Sequence, residues 1–262
     1  MSSNPVVTRH DPVRDLQIAY FREKVNAEFE IERPFGAGRL YQYLLRYKFA
    51  TAVRALPFNT QNAWAVNVCC GSGMDLEFMA EAGARVVGLD LSKEAIRRAR
   101  ERARRHKFRA LLVVGDAEHL PFRDEGVQLG FVHDGLHHLS EPHRALRELV
   151  RVSRDAVVLS EPANALITRI AVKLRLSSEY EDAGNYVYRL SRPELTSLFH
   201  SLGIRCLRMR RYLMYYHHEP RRYYRFFDHA ILFGVFRLLF TLTNALVGRW
   251  GNKLVCVAVK RG

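Results

Sequence analysis

The sequence predicts an α/β fold, a mostly parallel sheet covered by helices on both faces. Three observations predict it. Apolar runs of strand length alternate with helical stretches across short turns, the pattern of a parallel sheet wrapped on both sides. The run VNVCCGSGMD (66–75) breaks into a Gly-X-Gly turn ahead of a helix-like segment, and twenty residues on RVVGLDLS ends a second run at Asp90. A tight glycine turn lets backbone amides approach a bound group, and an acid at the next strand tip can hold ribose hydroxyls. Right-handed crossovers would gather every strand's C-terminal tip on one edge, where ligands bind.

The elements follow in order. Residues 13–33 carry apolar positions at helical spacing (Val13, Ile18, Phe21, Val25, Phe29) among charges. Pro34, Gly36 and Gly38 break that pattern before LYQYLLRYKFATAVRAL (40–56), a helical segment closed by Pro57. Strands are expected at 64–69, 85–90, 110–114, 127–133 and 156–160, with helices at 74–82, 92–106 and 142–152. The stretches LLVVGDAEHLPF (111–122) and VQLGFVHDGLHHL (127–139) each end an apolar run in polar residues. Beyond 161 come a helical segment (163–175), a polar stretch (180–185) and a helix opened by Ser191-Arg192-Pro193-Glu194. Residues 204–213 and 253–260 read as the last two strands, and the roughly 40 residues between them are long for a connection inside a compact domain. The chain is thus divided into an N-terminal helical cap (1–57) and a main domain (58–262) with a long helical insertion (214–247). Disorder is expected only in the first dozen residues.

These motifs together resemble the class I S-adenosylmethionine-dependent methyltransferases, most closely the type-11 group, over residues 40–161. The resemblance implies a Rossmann-like, seven-stranded, mostly parallel sheet whose last two strands form an antiparallel pair, and S-adenosyl-L-methionine as cofactor. That family's first motif runs acid-X-Gly-X-Gly-X-Gly; here Asn67, Cys69, Gly71 and Gly73 stand in it, so the acid and the first glycine are replaced. The departure bears on the pocket for the methionine end. Asp90, followed by Leu91, matches the ribose-binding acid, and Asp116-Ala117 matches the pair that borders the adenine. His133, at the end of the fourth strand, falls on the same cofactor edge, and the LHHL run with ALRELVRV behind it also looks like this group.

Methyl transfer is an in-line displacement at an activated carbon, so the protein mainly aligns nucleophile, carbon and sulfur. A base is needed only when the acceptor arrives protonated, as a hydroxyl does. Gly71 and Gly73 would bring the backbone against the methionine end, whose carboxylate suits the following helix N-terminus. An ordinary strand-to-helix turn, and a helix cap at Asp90 in competition with Ser92, are the alternative readings. His137 or His138 is the candidate base, since an imidazole titrates near working pH; packing on the sheet and capping of the next helix would also account for them. The four-residue spacing of His133 and His137 would permit a metal, but no acidic cluster nearby completes a site, and none is expected. Glu161-Pro162, Tyr180, Glu181 and Asn185 could line an acceptor pocket. Tyr41, Tyr43 and Arg46 could cover the cofactor from the other side, or form a buried helix face.

The net charge of +14 is concentrated in residues 92–109, with nine Lys/Arg against two Glu, and 205–225, with seven Arg against one Glu. A solvated helix face explains the first cluster; a membrane surface, an acidic small molecule and nucleic acid are the other readings. The cysteines Cys69, Cys70, Cys206 and Cys256 lie in apolar runs without metal spacing, which fits buried thiols in a reducing compartment. The N-terminus has no pattern of a secretory signal, so a cytoplasmic placement is expected, with peripheral contact on the inner membrane surface as an option. Ala230 to Val247 is almost continuously apolar and nearly of spanning length, but Arg237 at its centre, with Asp228 and Asn244, argues against a span. A buried lid or a homodimer contact is the first expectation for the insertion. Interfacial attachment through Arg221, Arg222 and Arg225 among Tyr and Phe is the second, and single-stranded nucleic acid the third. The function expected is methyl transfer to a small molecule, a hydroxyl of a sugar, a lipid-linked glycan or a secondary metabolite. An RNA methyltransferase is disfavoured by the lack of an Asn/Asp-Pro-Pro-Tyr tetrapeptide at the fourth strand, and a non-catalytic cofactor-binding relic is the reading from another class.

Overall fold

A computed structural model describes residues 12–173, 179–180 and 186–260. The disorder expected at the start, and Glu181 and Asn185, fall outside the described residues. Seven strands form one sheet: β1 (Trp64–Val68), β2 (Arg85–Asp90), β3 (Ala110–Val114), β4 (Val127–His133), β5 (Ser153–Pro162), β6 (Cys206–Tyr212) and β7 (Lys253–Val259). Their order is β3-β2-β1-β4-β5-β7-β6. The pairs among β1 to β5 are parallel, while β7 runs antiparallel to both β5 and β6. The Rossmann-like, mostly parallel sheet expected from the sequence is therefore present. β5 starts earlier than its apolar run because Ser153 pairs with Val127 of β4, and ends later because its ladder with β7 continues to Pro162.

The strand order reverses between β1 and β4, and that switch point opens a crevice at the strands' C-terminal ends. The helices are α1 (Pro12–Glu23), α2 (Ala27–Glu32), α3 (Arg39–Val53), α4 (Met74–Glu81), α5 (Lys93–Arg105), α6 (Pro142–Val152), α7 (Leu166–Lys173), α8 (Arg192–Ser201) and α9 (Ala230–Val247). One face of the sheet packs on α6 and α8 through Leu146, Leu149, Leu195 and Phe199. The other packs on α3 and α4 through Leu45, Phe49, Leu76 and Phe78. The helical pattern over 13–33 is interrupted at 24–26, where the Asn26 side chain accepts from Phe29 N and starts α2 afresh. Ser191 and Glu194 close a reciprocal capping box on α8.

Two expectations are corrected here. The basic run on α5 is only partly a solvated face, because Arg98 and Arg102 are buried. Arg102 donates through Nε to Glu77 at 2.7 Å and through Nη1 to the Ile31 carbonyl at 2.8 Å, while Arg105 pairs with Glu28, Glu32 and Glu101. Much of this charge is thus spent holding α2 against α5. Of the cysteines, all free thiols, Cys206 is exposed rather than buried, since edge strand β6 presents one face outward.

The insertion begins after β6 with an irregular segment, passes a short 3-10 helix (Arg222–Asp228) and continues as α9. Phe233, Phe236 and Phe240 pack edge-on against Tyr43 of α3, with ring centroids 5.6–6.3 Å apart. Asn244 ties the far end of α9 back by accepting from Leu213 N at 2.7 Å and donating to the Leu213 carbonyl at 3.1 Å. The buried lid helix does not materialise: of α9 only Asn244 is buried. What reaches the ligand edge is the irregular segment before it.

Candidate active site

The turn after β1 carries three residues with positive φ: Cys69 at 53°, Gly71 at 52° and Gly73 at 83°. Glycine reaches this region freely, whereas Cys69 holds it as an L-residue at a cost of about 1–2 kcal/mol. The two glycines serve different ends. A Cβ on Gly73 would lie 3.1 Å from Ala99 Cβ, so its absence seats the start of α4 against α5. A Cβ on Gly71 would enter open space at the ligand edge. α4 begins at Gly73 without a side-chain cap, so its first amides point to that edge.

Asp90 stands opposite at the tip of β2. Its Oδ2 accepts from Gly71 N at 2.9 Å and its Oδ1 from Ser92 N at 2.9 Å. Burial pushes the Asp90 carboxyl up, against the pull of those two amide bonds. Each oxygen keeps a lone pair for a ribose hydroxyl. The cap of α5 is Ser92, which accepts from Ala95 N at 3.2 Å, so Asp90 is left to the site. Leu91 is exposed beside it, an apolar surface for a flat base. Asp116 Oδ1 accepts from Glu118 N at 2.8 Å and fixes the turn after β3, where Ala117 is buried. Asn67 is buried within β1.

The end of β4 is the most polar part of the edge. His133 Nδ1 lies 3.0 Å from both oxygens of Asp75 in the first turn of α4. Its Nε2 is buried and has no hydrogen-bond partner within the protein. Asp134 follows in the left-handed region with φ 46°. It receives Lys48, Lys253 at 2.9 Å and the Tyr216 hydroxyl at 3.3 Å, and Lys48 donates to Tyr216 at 2.7 Å. Burial alone would raise Asp134, but Lys253 and Lys48 hold it well below the ordinary carboxylate range. A Cβ on Gly135 would meet Cys69 Cβ at 2.6 Å, so this glycine lets the β4 loop close on the β1 loop.

His137 is buried against Glu161, its Nδ1 2.8 Å from Oε2, while Oε1 accepts from Gly135 N at 2.8 Å and Leu136 N at 2.9 Å. The Glu161 carboxylate therefore organises the whole turn. His138 packs against His137 with centroids 4.1 Å apart and the rings tilted by 39°, and lies close enough to Asp90 to work against the rise that burial causes there. The two histidines at positions 133 and 137 are held by different carboxylates, and among the described residues no group of three or more His, Cys, Asp or Glu is placed to hold a metal.

Other expected contributors lie elsewhere. Tyr41 is buried and donates to the His218 carbonyl at 2.6 Å; Tyr43 packs under α9; Arg46 pairs with Glu81 at 2.7 Å. Tyr180 is exposed beside Tyr186. Sequence reasoning missed Asp75, Lys48, Lys253 and Tyr216. Lys48 alone left a signal, a lysine on the same helical face as Tyr41, Leu44, Leu45 and Ala52.

Residues 66–159 match the model of a family described as "Methyltransferase domain". A malonyl-[acyl-carrier protein] O-methyltransferase of Hamiltonella defensa is 28% identical over 142 residues, covering 53% of this chain and 54% of the relative. A demethylmenaquinone methyltransferase of Lactiplantibacillus plantarum is 32% identical over 116 residues, covering 40% of this chain and 49% of the relative. The chain spans about half the length of the curated relatives it matches. In fold it is similar to the magnesium protoporphyrin IX methyltransferase of Synechocystis with bound S-adenosylhomocysteine, at TM-score 0.61 and 15% identity over 96% of this chain and all of that one. A SAM-dependent methyltransferase from Thermotoga maritima gives 0.57 at 16% identity, over 94% and 99% of the two chains. The match over residues 66–159 and the shared fold agree with the resemblance to class I S-adenosylmethionine-dependent methyltransferases of the type-11 group. The cofactor of this family is S-adenosylmethionine, and the residues present fit it: Gly71 faces open space, Asp90 offers oxygens at the next strand tip, and Leu91 and Ala117 flank the base position.

Proposed function

We propose that the chain transfers a methyl group from S-adenosylmethionine to a hydroxyl of a small molecule, with His133 taking the proton. The observation that carries this is the buried, unpartnered Nε2 of His133 at the ligand edge, held in one tautomer by Asp75. A buried acceptor without a partner costs about 1–3 kcal/mol, a cost that an acceptor O–H would remove. The cofactor supplies an activated methyl carbon. With the cofactor held there, its methyl carbon would be open to attack by the acceptor oxygen with the thioether as leaving group; His133 Nε2 would take the hydroxyl proton and Asp75 would stabilise the imidazolium. Asp134, ion-paired to Lys48 and Lys253, is poorly suited to be the base, because a carboxylate held so acidic accepts a proton reluctantly.

His137 and His138 keep the roles that their partners support, the first shaping the turn and the second flanking Asp90. Residues 12–57 act as a cap: the Ser72 hydroxyl in the glycine turn donates to Glu30 of α2 at 3.1 Å. Sugars, lipid-linked glycans and secondary metabolites all remain acceptors of the required kind, and the relatives are named for malonyl-[acyl-carrier protein] and demethylmenaquinone. The RNA reading rested on charge, and the α5 arginines that lent it weight pair within the protein. The test is transfer of labelled methyl from S-adenosylmethionine to a panel of hydroxyl acceptors by wild type and His133→Ala. Transfer to RNA, or to none of the panel, would refute the small-molecule hydroxyl reading.

A further inference from the structure

α9 is apolar on its outside. At 100° per residue, Phe233, Phe236, Phe240 and Asn244 make the inner stripe that meets α3, and Arg237 and Thr241 make one flank. The outer arc holds Ile231, Val235, Leu238, Leu239, Leu242 and Leu246, 49–73% exposed, with no charged or polar side chain among them. A water-facing helix has the opposite arrangement. At its C-terminal end Trp250 is exposed and Arg249 stacks on its ring at 3.9 Å; before its N-terminus Phe226 is exposed among Arg221, Arg222 and Arg225. A second exposed apolar helix, α7, with Leu166, Ile167 and Ile170, leaves the same corner, where Ala163 N donates to the Asn252 carbonyl at 2.8 Å.

We infer that α9 is a membrane-surface anchor that lies in the headgroup layer of an anionic bilayer. An apolar arc bordered by arginines and an end tryptophan is the composition of an in-plane interfacial helix. Charge decides against a second copy of the chain as the occupant: a two-fold contact on this face would bring arginine rims together, whereas anionic lipid neutralises them. Packing decides against a span, since α9 is stapled to the domain from Phe233 to Asn244 and lies along it. The insertion runs from Tyr216 at the ligand edge to just before Lys253, so docking would set the acceptor side of the site beside the bilayer.

The test is sedimentation of the full chain with vesicles of phosphatidylcholine alone or with added phosphatidylglycerol. Wild type should pellet with the anionic vesicles and come off in high salt, because the arginine attraction is screened. Leu238→Glu with Leu242→Glu should abolish binding, and Arg222→Ala with Arg225→Ala should weaken it about fivefold per arginine removed. Unchanged melting and unchanged S-adenosylhomocysteine affinity in these variants would separate loss of docking from loss of the fold or of the cofactor site. Failure to bind either vesicle, with a dimer in solution that the leucine variants dissociate, would overturn the inference in favour of a second copy. Retention through a carbonate wash would overturn it in favour of a span.

Discussion

Asp75 grips Nδ1 of His133 with both carboxylate oxygens at 3.0 Å, which leaves Nε2 as a bare acceptor at the end of β4. A carboxylate in this position selects the tautomer and stabilises the ring once it is protonated. His133→Ala should lose roughly 10²–10⁴ in turnover, and Asp75→Asn part of that, with cofactor affinity kept in both. Steady-state kinetics beside calorimetry would decide it. Unchanged turnover in His133→Ala would mean that alignment alone drives the transfer.

The two glycines of the turn should separate in their effects. Gly73→Ala meets Ala99 at 3.1 Å with φ at 83°, and is expected to lower stability by about 1–2 kcal/mol or more. Gly71→Leu bears the strain of a φ of 52° as well, but it has open space in front of it, so beyond that strain its side chain should intrude on cofactor binding. Denaturant melts with and without S-adenosylhomocysteine measure both quantities. Equal loss of affinity in the two variants would contradict the division of roles.

Acid should loosen the cap from the glycine turn. Glu30 is buried; burial raises its pKa, but Arg33, His218 and Ser72 override that and hold it at about 2. Its folded value lies below its unfolded one, near 4.5, so this pairing contributes in full above about pH 4.5 and is lost as pH falls towards 2. The expected contribution at neutral pH is on the order of 3 kcal/mol. Glu30→Gln should flatten the stability profile between pH 4.5 and 2. A profile as steep as that of wild type would show that Glu30 is not responsible.

Lys48 is buried, and its ammonium has Asp134 and Tyr216 as partners. Lys48→Met strips one cation from the partly buried Asp134 carboxylate and leaves a buried stem that no longer pairs with it, which should destabilise by about 2–4 kcal/mol. Tyr216→Phe removes only a hydroxyl and should cost about 1 kcal/mol, while freeing the segment that the insertion lays over the edge. Thermal melts of both, with kinetics of Tyr216→Phe, would check this; equal destabilisation would contradict it.

The strands were legible because each is an apolar run of buried length between turns, and the structure places β1 to β4 within a residue of the expected bounds. Gly71, Asp90 and Asp116 were legible because each ends such a run. The partners were not. Asp75, Lys48, Tyr216 and Lys253 reach β4 across 58 to 119 residues, and no local period encodes a contact of that range. α9 misled for a different reason. Its composition reads as burial, and only the placing of its phenylalanines at 233, 236 and 240 tells which side is covered.

The central claim, a cofactor site between Gly71 and Asp90, is tested most directly by isothermal titration of the full chain with S-adenosylhomocysteine. A dissociation constant of about a micromolar or tighter is predicted, near −8 kcal/mol, weakened by roughly 1.5–3 kcal/mol in Asp90→Ala, where the ribose loses its charge-assisted bonds. No detectable binding by a folded wild-type protein would contradict the account.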